Sequence, residues 1–270
     1  MAESATPGEA SPAAQADGAA PVRRITSADL RASLAEGLAD FRENRGDLIF
    51  VGLLYPLVGI VVGIFFAGGR NLPLLFPLFA ALSLLGPLVA TGFYELARRR
   101  EAGLESQWYH FFDVLKSPSI VSIAAVGVGL LGICAAWLAA AAIVYASFFG
   151  PGSPVAVDAF LTEIVTTQRG WMMMLVGNLV GLAFAVIVLA VSVVSLPMLV
   201  DRRGNAERAV ATSLAAFRAN PGVLLRWGLI VAVILVIAAI PLLIGLAVAL
   251  PVLGYATWHL YTRLVDREAI

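Results

Sequence analysis

The sequence predicts an all-α integral membrane protein of about six transmembrane helices, arranged as three hairpins that are each preceded by a cytoplasmic interfacial amphipathic helix. Three observations carry this expectation. Hydrophobic residues fill 60% of 270 positions against 13% charged, and the mean hydropathy of +0.90 lies beyond the range of soluble domains. Several apolar runs reach the roughly 20 residues needed to cross a hydrocarbon core of about 30 Å. Arginine and lysine collect between alternate runs.

Residues 1–24, rich in Ala, Pro, Ser and Gly without an apolar stretch, read as a disordered tail, and residues 25–270 as one six-helix membrane domain. The spans fall at about 48–67, 72–97, 120–149, 171–200, 223–241 and 244–265. Gly68-Gly69-Arg70-Asn71 turns the first hairpin, and a longer loop beginning Gly150-Pro151-Gly152 turns the second. The last two spans form one apolar stretch whose only internal breaks are Ile240-Pro241 and Gly245. Spans three and four exceed the bilayer requirement, so each must tilt, kink or emerge. Pro56, Pro73, Pro77, Pro87, Pro197 and Pro251 are the predicted kink points.

Arg23, Arg24, Arg31, Arg42 and Arg45 precede the first span, Arg98, Arg99, Arg100 and Lys116 follow the second, and Arg202, Arg203, Arg208 and Arg218 follow the fourth. Arg70 and Arg169 alone lie in the opposite loops. The positive-inside bias therefore predicts that both ends face the cytoplasm. Eighteen basic and eighteen acidic residues cancel, which implies no nucleic-acid partner. The single cysteine, Cys134, excludes an intramolecular disulfide and reads as a small core residue.

A helical apolar stripe precedes each hairpin. Leu34, Leu38 and Phe41 stand before Arg42, Val210, Leu214 and Phe217 before Arg218, and Trp108, Phe112 and Leu115 before Lys116. Residues 34–46 (LAEGLADFRENRG) and 210–222 (VATSLAAFRANPG) share seven identities in thirteen, an internal repeat. Such helices are expected in the inner interface, with Arg42, Lys116 and Arg218 near lipid phosphates.

The stretches Ile25–Arg31, Gly86-Pro-Leu-Val-Ala-Thr-Gly-Phe-Tyr-Glu95 with Arg98-Arg99, and Pro251–Tyr261 (PVLGYATWHLY) resemble a bacterial multi-pass membrane family known as domain of unknown function 2189. The resemblance implies a bacterial inner-membrane location and transfers no catalytic or binding residue. A haem–copper centre needs several intramembrane histidines and the chain has two, so neither haem nor metal is expected as cofactor.

Among polar residues Glu95 comes first, because acids inside membranes are costly and often functional. Tyr94 adjoins it, and Arg98 and Arg99 stand within helical reach to pair with it. Asn178 lies beside Gly177 and Gly181, a small-residue face like Gly59 and Gly63, where helices pack closely and an amide can bond across the contact. His259 sits among Tyr255, Trp258 and Tyr261, read as an aromatic belt at the inner surface. Arg226 reads as reaching the inner phosphates. Met172, Met173 and Met174 point in different directions on a helix and do not form a Cu(I) site. No catalytic motif is present. The preferred reading is a non-enzymatic packing or assembly component whose partners are lipid, other membrane proteins or itself. A transporter or channel for a small or apolar solute stands second and a lipid-active enzyme third.

Overall fold

The computed structural model describes residues 18–43, 75–150, 157–240 and 245–270. The expected first span at 48–67, with Gly59, Gly63 and Pro56, lies outside the described residues, as do Arg45 and Pro73. Among the described residues the secondary structure is helical, apart from one antiparallel bridge between Val22 and Val265. In chain order the α-helices are α1 (Ser27–Glu43), α2 (Leu75–Leu84), α3 (Gly86–Val89), α4 (Thr91–Glu101), α5 (Ile120–Phe149), α6 (Val157–Thr166), α7 (Gln168–Ser192), α8 (Ser195–Val200), α9 (Ala206–Ala219), α10 (Pro221–Ala239) and α11 (Leu246–Leu264). A 3-10 helix spans Trp108–Lys116.

Among the described residues, three helices are long and apolar enough to cross a membrane: 120–149, 168–200 and 221–239. The expected second span is broken instead into α2, α3 and α4, at Leu85-Gly86-Pro87 and again at Ala90. Helix α11 matches the expected sixth span in place, but Trp258, His259 and Arg263 in its second half lower its hydropathy. The start of α11 lies close against the end of α10, since a Cβ on Gly245 would lie 2.6 Å from the Ala238 carbonyl oxygen. The loop after α5 carries an unexpected helix, α6, which lies so close to α7 that a Cβ on Gly170 would come within 2.4 Å of the Ile164 carbonyl oxygen.

Prolines mark the breaks. Pro87 opens α3, Pro197 lies in α8 and Pro251 lies inside α11. At the α7–α8 break a second cause operates. The Ser213 hydroxyl of α9 donates to the Ala190 carbonyl (2.7 Å) and accepts from the Val194 N–H (3.2 Å). Those two groups are i, i+4 partners, so an inserted side chain replaces one rung of the helical ladder.

Helix α4, α8 and the second half of α11 pack against one another in all three pairings. Residues 91–97 and 195–200 are wholly buried, and Tyr255, Trp258, Leu260 and Tyr261 are at most 1% exposed. The aromatic belt expected at Tyr255, Trp258 and Tyr261 is thus corrected: these rings are core. Their neighbours explain the burial. Phe93 meets Tyr255 edge-on at 6.0 Å, and Trp258 and Tyr261 each send their polar tip to a carboxylate.

Around this centre, α1 covers α11, the 3-10 helix covers α4, and α9 covers α8. The closest approach of α1 is made by small residues rather than by its apolar stripe. Ser33 and Gly37 are buried, whereas Leu34, Leu38 and Phe41 are half-buried. The stripe expected at Trp108, Phe112 and Leu115 falls on a 3-10 helix rather than an α-helix. All three residues are exposed, as is Tyr109, while Phe111 and Val114 turn inward. Outward faces of α7 (Trp171, Leu175, Leu179, Leu182) and α10 (Leu225, Leu229, Val236, Ile240) expose large apolar side chains, a surface stable against lipid rather than water.

Candidate functional site: a carboxylate and arginine cluster at one end of the bundle

The polar residues of the helix ends meet where α1, α4 and α11 converge. From α11, His259 Nε2 lies 2.8 Å from Asp40 Oδ2 and Nδ1 lies 3.3 Å from Glu36 Oε2, both on α1. One turn further, Arg263 pairs with Glu36 at 2.6 Å, as the i+4 spacing dictates. From α4, Arg100 pairs with Asp40 at 2.7 Å, and its guanidinium stands 5.7 Å from the Tyr255 ring centroid.

A second group of pairs adjoins the first. Glu101 binds Arg267 and accepts from Trp258 Nε1 at 3.0 Å. Asp201 binds Arg203 at 2.6 Å and accepts from the Tyr261 hydroxyl at 2.9 Å. The electrostatics follow the contacts. The Arg263 hydrogen bond outweighs desolvation and holds Glu36 below the usual carboxylate range. Burial pushes Asp40 up, but His259 and Arg100 together bring it below its ordinary value. Glu101 follows the same pattern through Arg267 and Trp258.

Beside this cluster, residues 20–25 are clamped to residues 264–266 and to α9 and its cap. Arg23 N–H donates to the Leu264 carbonyl at 2.7 Å, and Asp266 N–H donates to the Pro21 carbonyl at 3.0 Å. The Asn220 side chain accepts from Ile25 N–H (2.9 Å) and donates to the Arg23 carbonyl (3.0 Å), while Thr212 Oγ1 accepts from Ala20 N–H (2.8 Å). The expected disordered tail is therefore corrected for residues 18–24, whose backbone groups find fixed partners in α9 and the C-terminus. Residues 1–17 lie outside the described residues.

Glu95 is 1% exposed and makes a two-point pair with Arg98, Oε2 to Nε at 2.9 Å and Oε1 to Nη2 at 2.6 Å. Tyr94 is buried beside it. Asn178 is exposed on α7 and donates to the Met174 carbonyl of its own helix at 2.8 Å, so Glu95 and Asn178 share no site. Gly181 does pack, with Trp137 3.0 Å from the position of a Cβ, whereas Gly177 meets nothing within 4 Å among the described residues. Arg42 and Arg218 are exposed, and Lys116 is exposed and paired with Asp113 at 2.8 Å. Arg226 donates to Ser27 Oγ at 2.8 Å. His110 accepts from Gln107 N–H at 3.0 Å and serves as a helix cap.

Sequence reasoning missed Asp40, Glu36, Glu101 and Asn220. Residues so distant in the chain signal their meeting only through the repeat, which equates Asn44 with Asn220 and Gly37 with Ser213.

Residues 75–201 match the family model described as a predicted integral membrane protein, DUF2189. This segment is similar to the DUF2189 family. The matched segment runs from α2 through α8 and contains Glu95, Arg98, Arg100, Glu101 and Asp201, so it holds two of the three central helices and one partner of several of the ion pairs. Helix α1 and helices α9–α11, with His259, lie outside it. No curated protein and no solved structure matches the chain.

Proposed function

We propose that the protein is a non-enzymatic packing or assembly component of a membrane, crossing it six times as three hairpins with both ends on the cytoplasmic side of a bacterial inner membrane. The observation that supports this reading is that, among the described residues, Glu95 and His259, two polar candidates named from the sequence, are both engaged in ion pairs within the bundle. Glu95 is tied to Arg98, and His259 to Asp40 and Glu36. The apolar faces of α7 and α10 are the surface offered outward.

The repeat has support of the same kind. In the register that aligns 34–46 with 210–222, buried Ser33 and Gly37 correspond to buried Ala209 and Ser213. Each element read as interfacial covers the inner end of the preceding hairpin, and α1 closes the circle on α11. Crosslinking in native membranes followed by mass spectrometry is expected to return a homo-oligomer or a stable partner. Recovery of monomer alone would count against the reading. Reporter fusions at the two ends test the topology, and labelling of the ends from opposite sides would overturn the even count of spans.

A carrier for an apolar solute is favoured by one observation. A groove of about 530 Å³ opens between α5 and α9, lined by Val126, Gly129, Ile133, Val210 and Leu214, with Glu207 at its edge. Filling it with Val210→Trp should abolish flux into vesicles if the groove is a solute path. Equal flux in the variant and the parent would remove this reading.

A further inference from the structure

We propose that Arg24, Arg31 and Arg226 form a headgroup site for an anionic phospholipid, in the seam between the first turns of α1 and the start of α10. The first observation is how charge is distributed. In the two groups of ion pairs described above and at Glu95, each of Arg98, Arg100, Arg203, Arg263 and Arg267 holds a carboxylate. Arg24, Arg31 and Arg226 are exposed and have no carboxylate partner among the described residues. Positive charge on this side of the bundle is left for something outside the chain to balance.

The seam brings the three cations together. Arg226 Nη1 donates to Ser27 Oγ at 2.8 Å, which ties the first turn of α1 to the exposed side of α10. Arg31 stands four residues on from Ser27, one turn along the same face of α1. Arg24 precedes Ile25, whose N–H donates to Asn220 Oδ1 at the cap of α10 (2.9 Å). The acid closest in sequence, Asp29, does not neutralise them. Its carboxylate turns back to accept from the Thr26 N–H and hydroxyl at 2.7 and 2.8 Å, and the guanidinium that acts on it is Arg263 of α11.

Depth selects the anion. Helix α10 is long and apolar enough to cross a membrane, and Arg226 lies about 8 Å along its axis from Pro221. Leu225 beside it and Leu229 one turn further are exposed, so acyl chains meet the helix where the guanidinium ends. A soluble anion would gain nothing from those leucines. With Nη1 on Ser27, Nε and Nη2 of Arg226 remain to hold two oxygens of a phosphodiester, and Arg31 supplies a second planar fork. A choline headgroup carries its own cation and is repelled by three arginines, so a headgroup of net negative charge is preferred. The site depends on α10 crossing the membrane and not on the proposed assembly role, which a failure here would leave standing.

The test is native mass spectrometry of the full chain in detergent, titrated with phosphatidylglycerol or with phosphatidylcholine of the same acyl chains. The first phosphatidylglycerol is expected to bind about tenfold tighter than the first phosphatidylcholine. Arg31→Gln combined with Arg226→Gln should remove that preference. Arg42→Gln combined with Arg202→Gln takes the same charge from exposed arginines elsewhere and should leave it intact. Equal affinities for the two lipids in the parent overturn the site. So does an equal loss in the two double variants, which would mark attraction to overall charge. Should Arg31→Gln with Arg226→Gln fail to fold, the parent decides: phosphatidylglycerol with a diazirine next to its glycerol should label residues 225–229, and labelling confined to other helices rules the proposal out.

Discussion

Glu95 and Arg98 differ in how far each can reach water: the carboxylate side chain is 2% exposed and the guanidinium 16%. Glu95→Ala strands a mostly buried cation and should cost about 3 kcal/mol, the lower end of what breaking a buried pair costs, because Arg98 retains some solvent. Glu95→Gln keeps one acceptor and should lose less. Thermal unfolding in detergent would read both, and equal midpoints for Glu95→Ala and the parent would refute the structural role. Asn220 is a second sensitive residue. Asn220→Ala leaves the buried Ile25 N–H without its acceptor, a loss of about 1–3 kcal/mol from the clamp on residues 18–26. Limited proteolysis should then cut within that segment several times faster, while the membrane-embedded helices stay protected.

At the scale of the helix, the contact that matters most is α1 on α11. Gly37→Ala would set a Cβ against Ala256 N at 2.6 Å and the Val252 carbonyl oxygen at 2.7 Å, both backbone atoms that cannot rotate away. Overpacking of this kind costs about 1–3 kcal/mol, and hydrogen exchange over residues 27–43 should accelerate relative to α5 as the readout. Helix boundaries set by hydrocarbon thickness were legible in the sequence. The expected span 120–149 coincides with α5, and 221–239 differs from its expectation by two residues at each end. What was not legible depends on partners rather than period. The stripe of Leu34, Leu38 and Phe41 draws attention to one side of α1, yet the tightest contact lies at Ser33 and Gly37, because backbone proximity needs small side chains, which carry no hydropathy signal. The segment 108–116 has helical spacing on paper and adopts a 3-10 helix with Phe111 and Val114 turned inward. Glu95 with Arg98 was readable from i, i+3 spacing alone, whereas His259 with Asp40 joins residues 219 positions apart.

For the whole molecule, the ion pairs that tie α1, α4 and α11 make its polar end sensitive to acid. Glu36, Asp40 and Glu101 all titrate below their ordinary values when folded. A depressed carboxylate contributes stability above its unfolded value, near pH 4, and that stability is lost as pH falls through the lower folded value. The unfolding midpoint should hold from pH 7 to about pH 5 and then fall, and high salt should lower it further by screening the more exposed pairs. A midpoint independent of pH down to pH 3 would mean that the cluster adds nothing to stability. The bridge between Val22 and Val265 bears on how the chain is made. Helix α1 leaves the ribosome well before α11, whose surface it covers, so until then it has no permanent seat. Until α11 is made, α1 must wait at the membrane surface or in the hands of a chaperone, and truncation before residue 246 should leave it open to proteases.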